Sequence, residues 1–187
     1  MYCGNNPLGS LDVTKNTALK DLWCWNNGLS SLDVSKNTAL TGLACYKNQL
    51  TSLDVSACPE LKSLSFADNR IKGAAMDALI ASLPKWEDGK GRFFAVAPKL
   101  SSEQNELTKA QLDAAKEKGW TTYCWNGTSW DSGSYVIYEL GAPTAIPKVN
   151  PDADAGSPFY SLNGQRLSGT PTQPGVYVRA GKKVMVR

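Results

Sequence analysis

Apolar residues recur at a fixed interval of 21 positions between Leu8 and Ile71. Within each interval they alternate with polar residues over short runs, which is typical of short strands. One polar position keeps the same step, because asparagine returns as Asn6, Asn27, Asn48 and Asn69. The apolar columns with this step include Leu11, Leu32 and Leu53, and also Leu22, Leu43 and Leu64. A fixed period of this length predicts a stack of repeated units in which equivalent residues form columns.

Each unit is predicted to contain one short strand, in which successive side chains point to opposite faces. Leu22 and Cys24 then point into the stack, whereas Trp23 and Trp25 point outward. The strands of successive units are expected to pair in parallel, about 4.8 Å apart. The recurring asparagine turns the chain after the strand, and we expect its amide to bond backbone groups of neighbouring units.

The order Leu22-x-Cys24-x-x-Asn27-x-Leu29 resembles the leucine-rich repeat, whose units have about 20 to 29 residues. The stretch "LSSLDVSKNTALTGLACYKNQLTSLDVS" is similar to repeats of bacterial surface leucine-rich-repeat proteins. The segments "IKGAAMDALIASLP" and "GWTTYCWNGTSW" resemble the ending common in those proteins. The resemblance implies an α/β fold, namely a leucine-rich-repeat solenoid with a parallel sheet, in which residues 1–72 form the repeats.

Two helices are predicted beyond the regular period. Gly73–Pro84 has apolar residues at helical spacing, and Thr108–Lys118 has the capping residue and composition of a second helix. Arg92–Ala97 has the composition of a buried strand, and Asn126-Gly127 is a strong hairpin turn signal. We therefore expect the solenoid to end in two larger strand-helix coils and a hairpin, residues 73–141, which cap its core.

The last part of the chain changes in composition. Residues 142–157 are rich in Pro, Ala, Gly and Asp without periodicity, which predicts a linker. Residues 158–187 contain short apolar runs separated by turn residues, which predicts a small antiparallel β tail module. Within it, "YSLNGQRL" and "PGVYVRAGKKVMVR" resemble the C-terminal sorting domains of type IX secretion. The two resemblances together imply a protein that is exported to the cell surface or secreted.

The first residues already match the repeat, because Tyr2–Asn6 aligns with Trp23–Asn27. The chain thus begins inside a strand and leaves an open sheet edge. We expect it to be the C-terminal part of a longer protein, in which a signal peptide would lie upstream. The open edge also favours edge-to-edge self-association through the first unit.

Composition limits the functional classes to which this protein can belong. Of 187 residues, 42% are hydrophobic and 20% are charged, and no apolar run approaches the roughly 20 residues that span a bilayer. The net charge of +3 is too small to indicate a nucleic-acid partner. The chain has no histidine, which excludes Ser-His-Asp, Cys-His and His-metal chemistry. The nearest candidates for catalytic residues are Glu103, Glu106, Asp88 and Lys90. They lie in polar loops without a catalytic pattern, so we expect no enzymatic activity and no cofactor.

Two further columns have structural explanations. Inward cysteines keep the 21-residue step as Cys3, Cys24 and Cys45. The total of five cysteines is odd and lacks the paired spacing of a zinc site, so we expect free thiols and no metal. A column of carboxylates, Asp12, Asp33 and Asp54, is either a cation site or, as we favour, a set of caps for the turns that follow.

Outward positions of the repeats carry the candidate binding residues. Side chains point outward in two columns. The first column consists of Tyr2, Trp23, Ala44 and Ser65, and the second consists of Gly4, Trp25, Tyr46 and Ala67. Asn26 and Lys47 lie beside the aromatic members of these columns. Exposed aromatic clusters are typical of recognition sites for proteins or glycans, although the same rings can pack against one another or against neighbouring units. We predict a non-enzymatic protein- or glycan-binding module of an exported bacterial surface protein. The alternative is a structural spacer that holds another domain at the surface.

Overall fold

The computed structural model describes residues 1–129, 131 and 135–138, and the backbone of three strands at 159–160, 175–179 and 182–186. The chain divides into two compact units, Met1–Ala142 and Pro143–Arg187. The linker predicted at 142–157 lies outside the described residues. No helix of the described part is both long and apolar enough to cross a membrane.

The first unit contains a six-stranded sheet whose strands follow one another in chain order. The strands are β1 (Asp21–Trp23), β2 (Gly42–Ala44), β3 (Ser63–Ser65), β4 (Gly91–Val96), β5 (Trp120–Trp125) and β6 (Tyr135–Ile137). The first five are parallel, and β6 runs antiparallel to β5. Leu22, Leu43 and Leu64 lie opposite one another, which confirms the predicted 21-residue step. This mostly parallel sheet with few helices is an α/β repeat fold.

Two helices connect the later strands at the positions that the sequence predicts. Helix α1 (Ala74–Ser82) lies between β3 and β4, and helix α2 (Lys109–Glu117) lies between β4 and β5. Thr108 caps α2 through a reciprocal pair of hydrogen bonds with Gln111, which satisfies two backbone donors at the start of the helix. Strand, helix and parallel strand therefore alternate through this region, as expected.

The hairpin after β5 is wider than its turn signal suggests. Asn126-Gly127 predicts a tight turn, but β5 ends at Trp125 and β6 begins only at Tyr135. The first residues of the connection fold back on the strand, because the Trp125 indole Nε1 donates to the Ser129 carbonyl at 3.0 Å. The antiparallel pairing is present, whereas a two-residue turn is not.

The second unit contains a three-stranded antiparallel sheet. Its strands are β7 (Phe159–Tyr160), β8 (Gly175–Arg179) and β9 (Lys182–Val186), and β8 is the central strand. These strands lie within residues 158–187, for which the sequence predicts a small antiparallel β tail module.

Inward side chains of the first unit form the core. Leu22 and Cys24 are fully buried, as the strand alternation predicts. The larger units fill their wider interior with rings: the Phe66 and Phe93 centroids lie 5.0 Å apart, and those of Phe93 and Trp120 lie 6.3 Å apart. Larger inward residues therefore accompany the longer connections through α1 and α2.

The asparagine column joins each unit to the preceding one. The Asn48 amide Nδ2 donates to the Cys24 carbonyl at 3.1 Å and to the Cys45 carbonyl at 2.9 Å. Its Oδ1 accepts from the backbone N–H groups of Asn27 and Leu29, both at 3.0 Å. One side chain thus satisfies backbone groups of two units, which confirms the predicted structural role.

The sequence period did not reveal that the ladder continues at Asn105. Its Nδ2 donates to the carbonyls of Phe66 at 2.9 Å and Ala95 at 2.8 Å. Its Oδ1 accepts from the Ile71 N–H at 2.8 Å. Asn105 therefore repeats the bonding of Asn48, although α1 and β4 separate it from the preceding member of the column.

A second, shorter ladder lies on the other side of the stack. The Asn37 amide donates to the carbonyls of Val13 and Asn16, both at 2.9 Å. One unit later the Cys58 thiol donates to the corresponding carbonyls, those of Val34 at 3.8 Å and Asn37 at 3.7 Å. Cys58 is thus a weak donor in an asparagine position. All five cysteines are free, as expected.

We predict that Asn69→Ala strongly destabilises the fold. Asn69 donates to Cys45 and Phe66 and accepts from Leu50, and it is only 1% exposed, so water cannot replace these bonds. The free energy of unfolding should fall by about 3 kcal/mol, measured by chemical denaturation. Asn6→Ala is the matched control in the same column, and its exposed amide should cost less than about 1 kcal/mol. Equal losses in the two variants would contradict the ladder.

The inward thiols are predicted to resist alkylation in the native state. Burial raises the pKa of Cys24 to about 12, and burial together with the neighbouring Cys24 raises the pKa of Cys45 well above its usual value. A raised pKa lowers the thiolate fraction, so iodoacetamide at pH 8 should modify neither residue until guanidinium unfolds the chain. Peptide mass spectrometry measures this, with half-buried Cys3 as the faster-reacting reference. Native labelling of Cys24 at the rate of Cys3 would contradict the prediction.

Candidate ligand-binding face

The outward face is the side of the β1–β6 sheet that points away from the core. Side chains alternate strictly along β1, where Leu22 is buried and its two neighbours are exposed. Register places Trp23, Ala44, Ser65 and then Phe94 side by side on successive strands. The predicted outward column is therefore present and extends beyond the repeats onto β4.

The most exposed rings of this face belong to Tyr2 and Trp23. Tyr2 forms a parallel bridge with Trp23, which places the two side chains next to each other. Their ring centroids are 5.2 Å apart with planes inclined by 40°. Tyr2 is 76% exposed and Trp23 42% exposed, so both offer a ring face to solvent. These two rings meet the exposure that a recognition site needs.

Trp25 and Tyr46 are half-buried and pack against each other. Their rings stack with centroids 5.6 Å apart and planes only 3° from parallel. The Trp25 indole also lies over Gly4, where a Cβ would overlap the ring. Internal packing thus explains part of the role of this pair, whereas it does not explain the exposure of Tyr2 and Trp23.

Asn26 and Lys47 occupy a column of left-handed backbone. Asn5, Asn26, Lys47 and Asp68 have φ of 62°, 52°, 56° and 58°. Asparagine tolerates this conformation well, but lysine has no such preference. The Asn26 amide donates to Asn5 Oδ1, so it bonds to the preceding unit. The conformation of both predicted binding residues is thus set by the turn. The position directly before each ladder asparagine marks this turn, and it is asparagine in the first two units only.

The outward face is closed at β3, in the fourth unit of the repeat. Ser65 is 8% exposed and Ala67 is fully buried, although both were expected to continue the exposed columns. Ala67 packs with Ala97, Leu100 and half-buried Trp125, which form a small second core. The prediction that these outward positions stay free is therefore wrong beyond Tyr46, because residues from the loops around β4 and β5 cover them.

A second aromatic cluster lies beside the closed region. Phe94 stacks on Tyr123 with centroids 4.9 Å apart, and Tyr135 meets Phe94 edge-on at 4.6 Å and Trp125 at 5.1 Å. Burial raises the pKa of Tyr46, and Tyr135 raises it further. Sequence analysis missed this cluster because only the β5–β6 pairing brings its members together.

Glu103, a catalytic candidate by sequence, serves the backbone. Its Oε2 accepts from the N–H groups of Asp68 at 2.8 Å and Ala97 at 2.6 Å, and its Oε1 accepts from Asn105 at 2.8 Å. Burial raises its pKa, against the lowering effect of these three bonds. Both oxygens of the carboxylate are thus used in holding the strand ends together.

The other catalytic candidates form exposed ion pairs. Asp88 pairs with Lys90 at 2.7 Å, and Glu106 pairs with Lys72 at 3.5 Å. The hydrogen bond from Lys90 lowers the pKa of Asp88. Neither pair lies on the outward face near Trp23, so the structure does not bring these residues to the predicted binding site.

The aspartate column caps turns. Asp12 Oδ1 accepts from the Thr14 hydroxyl at 2.7 Å and its N–H at 2.9 Å, and these bonds lower the pKa of Asp12. Asp33 and Asp54 accept from the N–H two residues later in the same way, each at 2.8 Å. The capping interpretation is confirmed. Among the described residues, no group of three or more Cys, Asp or Glu side chains is arranged to hold a metal ion.

Two cavities near α2 lie away from the predicted binding residues. One of about 300 Å³ is lined by residues of α2, β5 and β6, including Leu112, Trp120 and Ile137. Another of about 580 Å³ lies between α1 and α2 and is lined by Ile80 and Ala114. Neither contains a residue of the outward aromatic column between Tyr2 and Ala44.

Comparison with known proteins gives a partial likeness to a solved structure. No protein-family model matches the chain, and no curated protein sequence matches it. A solved structure described as the functional domain of InlJ from Listeria monocytogenes, which includes a cysteine ladder, is similar at 29% sequence identity. The match covers 59% of this chain and 27% of that one, with a TM-score of 0.43. The description of the fold therefore depends on the strand register and hydrogen bonds of this chain itself.

Proposed function

We propose that this chain is a non-enzymatic binding module that holds a protein or glycan ligand against its outward face. Exposure of the adjacent Tyr2 and Trp23 rings on a parallel sheet supports this proposal. Large aromatic side chains contribute more to recognition than other residues do, because they bury much apolar area at little entropic cost. In this proposal the units form a leucine-rich-repeat solenoid of an exported bacterial surface protein.

The rigidity of the sheet adds to the argument. The amides of buried Asn27 and half-buried Asn48 hold the ends of β1 and β2 in register, so the outward rings sit at fixed positions. A surface that is already ordered loses little conformational entropy when it binds.

A structural spacer is the second candidate function. The internal stacking of Trp25 on Tyr46, and the closure of the face at Ser65 and Ala67, favour it because they show outward aromatic and small residues used for packing. A spacer would need a stiff stack of units but no ligand. The two candidates differ in whether the exposed rings matter for anything other than stability.

We predict that the double substitution Tyr2→Ala with Trp23→Ala reduces ligand retention at least about tenfold without lowering the thermal unfolding midpoint by more than a few degrees. Both rings are exposed, so their loss leaves the core intact. Retention is measured on plates coated separately with fibronectin, gelatin, casein, cellulose, mannan and xylan. Leu8→Ala is the matched control, because Leu8 is 43% exposed and lies outside the outward column.

Two outcomes would count against binding through this face. Retention of the wild-type chain on none of the six coatings would favour the spacer. Equal retention of the double variant and the wild type would show that the ligand binds elsewhere.

We also predict that Lys47→Gly keeps or raises stability, by up to about 1 kcal/mol, because glycine adopts the left-handed conformation without strain. Lys47→Val should lower stability by more than about 1 kcal/mol, since a branched side chain disfavours positive φ. Denaturant unfolding measures both. If Lys47→Gly also weakens retention on the plates, the lysine charge contacts the ligand. If retention is unchanged, the residue matters only as part of the turn.

A further inference from the structure

We infer that the ligand of the outward face is a neutral sugar chain, held by the Trp23 ring together with the Asp21 carboxylate that lies across Gly42. This inference depends on the binding function proposed above and specifies the chemistry of its ligand.

Gly42 creates the place for the carboxylate. Asp21 and Gly42 occupy the same register on β1 and β2, and both positions are on the outward face. The Asp21 Oδ1 lies 2.6 Å from the point where a Gly42 Cβ would stand. A side chain at this position would displace the carboxylate, so glycine leaves room for it above β2. The carboxylate of Asp21 consequently lies above strand β2 on the outward face of the sheet.

The carboxylate and the indole lie within reach of one small ligand. Asp21 and Trp23 are two residues apart on the same face of one strand, which corresponds to about 6.6 Å. The surface beside them on β2 is made of Gly42 and Ala44, which leave the space above the sheet open. A ring stacked on the indole can therefore place a substituent against the carboxylate.

The chemistry of these groups matches a sugar ring. A pyranose has a flat face of C–H groups, which packs on an aromatic ring, and a rim of hydroxyl groups, which donate hydrogen bonds. An ionised carboxylate accepts such bonds strongly. Ser63, half-buried at the next register position on β3, adds a hydroxyl that both donates and accepts.

Local charge selects against anionic ligands. The exposed Asp21 carboxylate repels an anionic group placed on Trp23. A neutral ligand with many hydroxyl groups avoids this repulsion and can donate hydrogen bonds to the carboxylate.

The test is depletion of the protein from solution by suspensions of insoluble cellulose, mannan and xylan, which are neutral polymers with vicinal hydroxyl groups. The wild-type chain should bind at least one polymer. Trp23→Ala and Asp21→Ala should each weaken binding at least about tenfold, Trp23→Phe should retain most of it, and Leu8→Ala should match the wild type. Oxidation of the polymer with periodate opens the sugar rings to aldehydes, and reduction of these aldehydes with borohydride prevents their reaction with lysine amines. This treatment should abolish binding.

The outcomes separate this inference from the proposed function. Failure of all three untreated polymers, or binding that survives periodate, overturns the sugar assignment, and the protein-coated plates then decide whether the face binds a protein instead. Unchanged binding in Asp21→Ala, with its thermal midpoint preserved, overturns the role of the carboxylate. Full binding by Trp23→Ala contradicts both the inference and the proposed site.

Discussion

The asparagine amides of the ladder connect successive units of the first part of the chain, and those of Asn27, Asn69 and Asn105 are buried. Each amide meets backbone carbonyls of two successive units, as Asn48 does with Cys24 and Cys45, and accepts backbone N–H groups with its oxygen. Buried backbone groups without partners cost several kcal/mol, so a strand cannot slide relative to its neighbour without losing these bonds. The stack is therefore held in one register, and Asn105 carries the same constraint past the longer connection through α1.

A fixed register has consequences on the opposite side of the sheet. Because the inward residues cannot move, the side chains between them point outward at regular spacing, and rings on adjacent strands meet. Tyr2 with Trp23 and Trp25 with Tyr46 are two such pairs, one open to solvent and the other half-buried. Alternation alone orients all four rings, but the packing over Gly4 distinguishes the half-buried pair from the exposed one.

The far end of the same face is used for packing. Glu103 ties the backbone of Asp68 to that of Ala97 and Asn105, and Ala67 is covered next to this clamp by Leu100 and Trp125. The aromatic cluster around Tyr135 then continues across β4 and β5. The outward face is thereby divided into an open region near Trp23 and a closed region near Ala67, and the proposed sugar site lies in the open one.

The sequence by itself determined the repeat, its inward and outward columns, both helices and the bonding role of the ladder asparagines. It could do so because each of these features depends on neighbours at a fixed spacing, either along a helix or one unit away in the stack. Only the tertiary structure decided that Asn105 and Glu103 complete the ladder, that Ser65 and Ala67 are covered, and that Lys47 lies in a left-handed turn. It also decided that the Asp21 carboxylate lies over Gly42. Most of these features bring together residues that are distant in sequence and have no common period. The Lys47 turn depends instead on the backbone conformation of one residue. Both kinds of feature are fixed only when the chain packs.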